Sequence, residues 1–415
     1  MFMQIRSCSL DLHKFIFMLL HRSMSAIATH LLRKYPVLTI TGPRQSGKST
    51  FAKMLKPDFE YVNLEDIDNR RFAQRDPKGF LQRYPKNCII DEVQNVPELL
   101  SQLQVEVDAA GKNGMYILTG SQNLQLSSKI SQSLSGRTAL CTLLPFSMDE
   151  LNTKKPVRRS GKITNPKAFI WEELCWKGMY PRLHHQKIKP SLFYPDYITT
   201  YIERDTRQLM NIKDLALFRN FLSMCAGRTG QILNLQDIGN SLGIDAKTVK
   251  QWLGMLQTSY IIYLLPPFHN NFSKRIIKAP KLYFYDTGIA SFLLNIRSQA
   301  DLKNHFAKGA LYENFIINEL MKNCYNKRVQ PNFYYFRDSN GNEVDLLIDQ
   351  SNYMYAAEIK SSRTMNDSFF KGLNYFSAVA DKKVKTVCIY GGEDNYTYNG
   401  HLVTGWNGLN SILIT

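Results

Sequence analysis

Cysteine is sparse in this chain, and its copies lie far apart. The seven cysteines stand at positions 8, 88, 141, 175, 225, 324 and 388, and no two of them form a C-x-x-C pair. A disulfide framework and a zinc site both require cysteines at close, repeated spacings, so this distribution argues against either. We expect reduced thiols, buried or idle, in a cytosolic protein.

Long apolar runs are also missing. The one stretch that resembles a targeting signal, Phe15 to Leu20 (FIFMLL), is too short to span a bilayer and follows polar residues. We interpret it as part of an amphipathic N-terminal helix, with Met24 as an alternative start because residues 27–34 lead directly into the first strand. The sequence therefore predicts an N-terminal extension over residues 1–25 and no membrane association.

Acidic residues are few relative to basic ones. The chain has 35 Asp and Glu against 52 Lys and Arg, a formal net charge of +17. This excess is spread through globular-looking sequence and suggests an anionic partner, nucleic acid before a membrane surface, although plain solubility explains it as well. At 415 residues and 44% hydrophobic content, two or three domains can each have a core.

A phosphate-binding loop is the clearest motif. Residues 42–49 read G-x-x-x-x-G-K-S between a strand-like run, Val37 to Thr41, and a helix-like run. Two glycines let the backbone turn its N–H groups towards phosphate oxygens, Lys48 supplies a positive charge, and Ser49 would bind Mg²⁺. The predicted cofactors are ATP and Mg²⁺. The predicted nucleotide-binding residues are Gly42, Pro43, Arg44, Gln45, Ser46, Gly47, Lys48, Ser49 and Thr50.

A pair of acids follows the next apolar strand. Asp91 and Glu92 come directly after residues 88–90, and open α/β sheets bind ligands at the carboxyl ends of their strands. We therefore predict that Asp91 belongs to the Mg²⁺ shell and that Glu92 polarises the water that attacks the γ-phosphate. An Asp-Glu pair is also common at helix caps, but the phosphate-binding loop upstream favours the catalytic role.

Two further groups are candidates for the same site. Thr119, Ser121 and Asn123 follow a predicted strand at residues 114–118 and could sense the γ-phosphate or the attacking water; an ordinary capped turn is the alternative. Arg137 precedes a predicted strand at 139–144. By analogy it could act as an arginine finger in its own site or in that of a neighbouring subunit, and a structural arginine is an equal alternative.

The middle of the chain is basic. Residues 154–189 hold ten lysines and arginines against two glutamates, with proline and glycine between them.

Further on, the pattern of residues 231–257 predicts a helix-turn-helix, in which Gly243 makes the turn and Asp245 caps the second helix. A basic wing would follow between strands at 260–265 and 281–285. The outward residues of the second helix, able to contact phosphates or base edges, are Lys247, Thr248, Lys250 and Gln251.

The C-terminal part holds a loose nuclease-like pattern. Asp345 lies on a predicted strand, and Glu358 and Lys360 lie at the end of the next, as in the D…(D/E)-x-K arrangement. Residues i and i+2 of a strand share a face, so all three converge, and Glu313 on a predicted helix could complete a metal shell. Such spacing also arises by chance in acidic hairpins. Active cleavage and a fold that keeps these residues for packing or DNA grip are therefore equal alternatives.

Several segments together resemble one family. GPRQSGKST at 42–50, IIDEVQ at 89–94, LTGSQN at 118–123 and SLSGR at 133–137 are similar to prokaryotic AAA+-like ATPases whose C-terminal half is a domain of unknown function. GMYP at 178–181, YIERD at 201–205 and YFYDTG at 283–288 are further landmarks. The resemblance implies an additional-strand P-loop sheet that binds ATP with Mg²⁺.

Together these features predict an α/β protein. A P-loop NTPase domain with a parallel sheet (26–150) would precede a basic linker and helical region (151–215), a winged-helix-like domain (216–290) and a restriction-endonuclease-like α/β domain (300–415). The predicted function is a Mg²⁺-dependent ATPase that couples hydrolysis to engagement of double-stranded DNA, with oligomerisation as an option. The alternative is a nucleotide-gated adaptor that binds a protein partner and has a catalytically inactive C-terminal domain.

Overall fold

The computed structural model describes residues 20–121, 133–152, 157–159, 162–164, 169–203, 214–268, 278–409 and 412. The chain divides into two compact units. The first comprises residues 1–168 with 184–187 and 326–328, and the second comprises 169–183, 188–325 and 329–415. In the described part, no helix combines the length and the apolar character that crossing a membrane requires.

A five-stranded parallel sheet forms the centre of the first unit. Its strands are β1 (Val37–Thr41), β2 (Glu60–Asn63), β3 (Cys88–Asp91), β4 (Tyr116–Gly120) and β5 (Thr138–Thr142), in the order β2-β3-β4-β1-β5. Strand β4 lies between β1 and β3, so the predicted additional-strand P-loop sheet is confirmed. Because the carboxyl ends of parallel strands meet at one edge, this order brings the ends of β1, β3 and β4 side by side.

Helices cover both faces of this sheet. They are α1 (Ser25–Leu32), α2 (Lys48–Leu55), α3 (Ile67–Arg75), α4 (Pro77–Arg83), α5 (Leu99–Ala110) and α6 (Met148–Asn152). Val37, Ile90 and Leu118 face one side and pack with α4 and α5. Leu38 and Ile117 face the other and pack with α1 and α2. Burial on both faces explains why β1, β3 and β4 are buried along their whole length and do not alternate between buried and exposed residues.

Some predicted boundaries move by a few residues. The strand predicted at 114–118 lies at 116–120. Gly114 turns the backbone before the strand with φ +69°, and its N–H donates to the carbonyl oxygen of the distant Tyr35. The strand predicted at 139–144 lies at 138–142. Between α3 and α4 the chain breaks at Asp76, whose side chain caps α4 through the N–H of Gly79.

Helices open the second unit. They are α7 (Trp171–Lys177), α8 (Pro181–His185), α9 (Pro190–Tyr197), α10 (Leu215–Gly227), α11 (Leu235–Leu242) and α12 (Ala246–Thr258), and a short hairpin, β6 (Val157–Arg159) and β7 (Lys162–Thr164), precedes them in the chain. A π-helical turn, Ile198–Glu203, follows α9. The predicted helix-turn-helix is present in α11 and α12. Gly243 ends α11 with φ +68°, and the Asp245 carboxylate accepts from the N–H of Thr248 at the start of α12.

A hairpin and two helices connect this region to a second sheet. They are β8 (Ile262–Leu265), β9 (Lys281–Phe284), α13 (Thr287–Leu293) and α14 (Gln299–Asn304). The predicted basic wing between β8 and β9 lies largely at 269–277, outside the described residues.

A mixed six-stranded sheet with two helices ends the chain. Its elements are α15 (Lys308–Asn326), β10 (Phe333–Arg337), β11 (Glu343–Asp349), β12 (Tyr353–Lys360), α16 (Lys371–Val379), β13 (Lys383–Tyr390), β14 (Tyr396–Tyr398) and β15 (His401–Gly405). The strand order is β10-β11-β12-β13-β15-β14, and β12 pairs antiparallel with β11 but parallel with β13. The antiparallel pairing places the end of β12 beside the start of β11, where Asp345 lies.

Candidate nucleotide site and carboxylate cluster

The loop between β1 and α2 needs both of its glycines. Gly42 has φ +142° and Gly47 has φ +92°, conformations that L side chains rarely adopt. A Cβ added at Gly42 would lie 2.2 Å from the carbonyl oxygen of Leu143, so this position has no room for a side chain. The backbone is therefore shaped as a turn that can approach an anion closely.

Buried polar atoms in this loop have no partner within the described structure. Gln45 Oε1 and Ser46 Oγ are both buried and accept or donate no hydrogen bond. Leaving a buried polar group unpaired costs about 1–3 kcal/mol, so such groups usually serve a ligand, a bound water or an ion. The loop residues thus fit a polar, oxygen-rich ligand such as a nucleotide phosphate chain with its Mg²⁺.

Lys48 is buried, with 5% of its surface exposed. Its ammonium donates to the carbonyl oxygens of Gly42 at 3.1 Å and Pro43 at 2.8 Å, within its own loop. Burial lowers the pKa of Lys48 to about 8, and the nearby negative charges of Glu92 and Asp91 oppose the decrease only in part. A desolvated ammonium paired only with neutral carbonyls is well placed to bind an incoming phosphate.

Asp91, at the end of β3, lies next to Ser49 at the start of α2. Its Oδ1 accepts from Ser49 Oγ at 3.0 Å and from the hydroxyl of Thr119 at the end of β4. Its Oδ2 accepts from the hydroxyl of Tyr61 on β2 at 2.6 Å. The hydroxyl and the carboxylate predicted to bind Mg²⁺ are therefore adjacent. Burial, together with the bond to Asp91, raises the pKa of Tyr61, so this hydroxyl stays protonated and donates.

Glu92 holds an unusual backbone conformation. Its φ is +55°, in the left-handed region that costs a non-glycine residue about 1–2 kcal/mol. Its Oε2 accepts from the Gln94 side-chain amide and from Ser121 Oγ, the latter at 3.2 Å, and its N–H donates to Thr119 Oγ1 at 3.4 Å. Backbone strain of this kind is concentrated at functional sites. The bonds orient the carboxylate at the carboxyl ends of β3 and β4.

The remaining predicted site residues make other contacts, are exposed, or lie outside the described residues. Arg137 Nε and Nη2 donate to the Asp108 carboxylate on α5 at 2.6 and 2.9 Å, in an exposed ion pair, and its role as a finger stays a prediction. Arg44 Nη1 lies 3.6 Å from Glu65 Oε1. Thr50 is exposed on α2. Asn123 lies outside the described residues.

Two partners in this site were missed by sequence reasoning. Tyr61 bonds Asp91, and Gln94 bonds both Glu92 and Ser121, the latter at 3.3 Å. Alternation along β2 indicates which residues share a face with Tyr61 but does not indicate which strand lies next to it. Gln94 stands two residues after Glu92, and only the turn at Glu92 brings the two side chains together.

The lowered pKa of Lys48 predicts proton uptake on ATP binding. The free lysine loses its proton as the pH rises through about 8, whereas a bound phosphate favours the charged ammonium. The affinity for ATP should therefore fall above this pH. At a pH of about 8.5, the binding of each nucleotide should be accompanied by uptake of a substantial fraction of a proton from the buffer. Calorimetry in two buffers of different protonation enthalpy measures that uptake. Lys48→Arg, which stays charged, is the control, and equal heats in both buffers would contradict the prediction.

The carboxylates and lysine predicted in the C-terminal part do come together. Lys360 Nζ lies 3.2 Å from Asp345 Oδ2 and 2.5 Å from Glu358 Oε1, and the N–H of Ile359 donates to Asp345 Oδ2 at 2.8 Å. Glu313 Oε1 accepts from the hydroxyl of Tyr283 on β9. Glu358 Oε2 is buried and has no hydrogen-bond partner among the described residues.

A second lysine, missed from the sequence, enters this cluster from β9. Lys281 Nζ lies 3.2 Å from Glu313 Oε1 and 2.7 Å from Glu343 Oε1, and Arg337 Nη1 lies 3.0 Å from Glu343 Oε2. Lys281 is 2% exposed. We give the name carboxylate cluster to the four carboxylates and the two lysines that pair with them. They are Lys281, Glu313, Glu343, Asp345, Glu358 and Lys360.

The carboxylate cluster, as described, pairs its carboxylates with lysines, and its binding of a divalent cation stays a prediction. Across the residues that the structure describes, no group of three or more histidine, cysteine, aspartate or glutamate side chains is arranged to hold a metal ion. Lys281 and Lys360 supply two positive charges against the four carboxylates of the cluster. Burial raises the pKa values of Glu313 and Glu358, which further reduces the charge available to a metal.

The parallel sheet, its glycine loop and the polar residues at one edge define a P-loop ATPase domain. Comparison with known proteins agrees, since residues 34–152 match the AAA domain family. Residues 169–300 and 308–408 match two domains of unknown function, DUF8612 and DUF4143. The chain thus carries an AAA domain followed by two domains without an assigned role.

Two curated relatives that span most of this chain carry the description uncharacterized protein. A protein of Mycobacterium tuberculosis and one of Mycobacterium bovis are each 28% identical over 388 residues, covering 92% of this chain and 82% of theirs. Among solved structures, a Walker-type ATPase of Pyrococcus abyssi is 14% identical, covers 65% of this chain and 94% of its own, and has a TM-score of 0.43. The RuvB branch migration motor of Thermotoga maritima is 17% identical over 60% of this chain and 90% of its own, with a TM-score of 0.31.

Proposed function

We propose that the AAA domain binds ATP with Mg²⁺ and hydrolyses it, and that this cycle controls how the rest of the chain engages DNA. The observation that carries the ATPase part is the meeting of Lys48, Ser49, Asp91 and Glu92 at one edge of the sheet, where Ser49 Oγ lies 3.0 Å from Asp91 Oδ1. That edge is where open α/β sheets bind their ligands.

Each residue has a distinct proposed task. Lys48 exchanges its loop carbonyls for the β- and γ-phosphates, and Ser49 and Asp91 hold Mg²⁺. Glu92, fixed by Gln94 and Ser121, orients a water and accepts its proton as the water attacks the γ-phosphate. Bound Mg²⁺ would neutralise charge on the phosphates. Asn123 and Arg137 remain candidates for sensing and stabilising the γ-phosphate.

Calorimetric titration with ATP and Mg²⁺ tests the site. Lys48→Ala should abolish measurable binding, because the loop then loses the buried ammonium that is placed to bind the phosphates. The matched control is Lys78→Ala on α4, an exposed lysine remote from the loop, which should bind as the unchanged protein does. Equal affinity for the Lys48→Ala variant would contradict the proposed site.

DNA engagement is supported by one face of α12. Val249, Trp252 and Leu253 are buried, so Lys247 and Lys250 lie exposed on the opposite face. An exposed basic face on the second helix of such a pair is suited to phosphate contacts. The net charge of +17 agrees with an anionic partner.

Duplex affinity measured against salt tests this face. Changing Lys247 and Lys250 to alanine together should weaken binding and reduce the slope of log affinity against log salt by about 2, one for each lost phosphate contact. Lys303→Ala on α14, another exposed lysine, should leave the slope unchanged. An unaltered slope in the double variant would show that α12 does not contact the phosphates.

The second candidate function is a nucleotide-gated adaptor that binds a protein partner and cuts no DNA. The observation that favours it is the pair of lysines inside the carboxylate cluster. They form ion pairs with carboxylates whose negative charge a metal ion would need. Metal binding by Glu313, Asp345 and Glu358, with Lys360, remains a prediction of the nuclease alternative. If the protein is an adaptor, plasmid incubated with it in the presence of Mg²⁺ or Mn²⁺ and ATP should stay intact. Cleavage that the Asp345→Ala substitution abolishes would support the nuclease alternative.

A further inference from the structure

A buried arginine lies behind the phosphate-binding loop, just before α1. Arg22 is 4% exposed. Its Nη1 donates to the carbonyl oxygen of Ser46 at 2.9 Å, its Nη2 to the carbonyl oxygen of Leu144 at 2.6 Å, and its Nε to Glu150 Oε1 at 3.1 Å. The Arg22 side chain therefore connects the segment before α1, the loop between β1 and α2, and the segment that follows β5.

The guanidinium is itself held in place. Its carbon lies 4.9 Å from the centre of the Phe146 ring. Glu150, which is 1% exposed, also accepts from the N–H of Ser23 at 2.8 Å and, through Oε2, from the N–H of Ser147 at 3.0 Å. A buried ion pair is stable only when its other polar atoms are also hydrogen-bonded, and here each nitrogen of the Arg22 guanidinium and each oxygen of the Glu150 carboxylate has a partner. The position of Nη1 is therefore determined by contacts outside the loop.

The bond to Ser46 also determines where the next N–H points. In a planar trans peptide the C=O and N–H bonds lie on opposite sides. Because the carbonyl of Ser46 points towards Arg22, the N–H of Gly47 points away from it. Gly47 directly precedes Lys48, in the part of the loop that a phosphate would contact.

We propose that Arg22 is a positioning residue for the nucleotide site, which holds the Ser46–Gly47 peptide so that the Gly47 N–H faces the phosphates. This proposal rests on ATP binding by the loop. Arginine suits the task because its planar fork bonds two carbonyls and a carboxylate at once, which a lysine ammonium cannot do in the same geometry. Residues 22–25, predicted as the end of an N-terminal extension, then contribute to the site.

Nucleotide binding by Arg22→Lys and Arg22→Gln tests the proposal. Both variants should lose about 10- to 100-fold in affinity for ATP and for ADP alike, because the positioned N–H contacts a phosphate that both nucleotides carry. KM for ATP should rise by a similar factor while kcat changes by less than about 3-fold, as expected for an interaction made equally in the ground and transition states. Arg33→Gln, an exposed arginine just after α1, is the matched control.

The outcomes separate this proposal from the ATPase itself. If the unchanged protein and Arg33→Gln bind ATP but Arg22→Lys binds equally well, the positioning role is overturned and ATP binding stands. If kcat falls while KM and both affinities hold, Arg22 acts on the chemical step and the proposal is also overturned. Thermal unfolding without nucleotide accompanies each titration. If neither variant folds, Arg22 is a folding residue and the proposal fails; if the unchanged protein binds no nucleotide, both proposals fail.

Discussion

The Glu92→Gln variant binds ATP as tightly as the unchanged protein but hydrolyses it at least about 100-fold more slowly. An amide has nearly the size of the carboxylate and can keep a bond to Ser121, so the turn after β3 should hold its shape. It cannot accept the proton of the attacking water. The expected result is therefore a protein that retains its nucleotide.

Single-turnover hydrolysis measured beside equilibrium binding checks this prediction. Asp91→Asn is an informative contrast, because the loss of a metal-binding carboxylate should weaken Mg²⁺-dependent binding as well as hydrolysis. The matched control is Glu60→Gln at the exposed start of β2, which should hydrolyse ATP normally. A Glu92→Gln variant within about 3-fold of the normal rate would mean that another group orients the water.

Lys281→Met lowers the free energy of unfolding of the second unit by about 3–5 kcal/mol, the usual cost of breaking a buried ion pair. Lys281 Nζ lies 3.2 Å from Glu313 Oε1 and 2.7 Å from Glu343 Oε1. Its removal takes the ammonium away from Glu313 and leaves Glu343 with its ion pair to Arg337. Burial lowers the pKa of Lys281, but Glu313, Asp345 and Glu343 together raise it above its usual range, so the lysine is charged at every ordinary pH.

Acid should reduce this loss. With Lys281 gone, Glu313 has an even higher pKa than burial already gives it, and the carboxyl becomes neutral as the pH falls. Glu313 has a pKa of about 7 with Lys281 in place, so the difference in stability between Lys281→Met and the unchanged protein should grow as the pH rises above about 7 and be smallest below it, where Glu313 is neutral in both folded proteins. Adding Glu313→Gln should recover part of the loss at the higher pH.

Urea unfolding followed by tryptophan fluorescence measures these changes. All four tryptophans, at positions 171, 176, 252 and 406, belong to the second unit, so the signal reports that unit alone. The control is Lys382→Met, which removes an ion pair of 2.7 Å with Asp349 on the surface and should cost less than about 1 kcal/mol. A Lys281→Met variant as stable as this control would show that the cluster does not need its second lysine.

Patterns within short segments were sufficient for much of the fold and part of the site. The loop at 42–49 could be located because glycine, lysine and serine at fixed spacing serve one local backbone shape, and β1 lies where its apolar run predicted. The convergence of Glu358 and Lys360 with Asp345 followed from the two-residue period of a strand and a single antiparallel pairing. The start of β4 was displaced because the turn at Gly114 precedes the strand.

Long-range partners could not be obtained in this way. Glu150 stands 128 residues from Arg22, and Glu313 stands 32 residues from Lys281, with no spacing in either pair that marks a contact. Tyr61 bonds Asp91 only because β2 lies beside β3. Each of these bonds depends on the order of strands and the packing of helices.

The sequence by itself determined which residues form the phosphate-binding loop, which acids end β3, and which carboxylates share a face with Lys360, since periodicity and turn chemistry act over a few residues. Only the tertiary structure decided that Arg22 lies behind the loop and that Lys281 pairs with Glu313 and Glu343 in the carboxylate cluster. Both side chains are buried charges, and a buried charge is stable only beside partners that folding brings from distant parts of the chain.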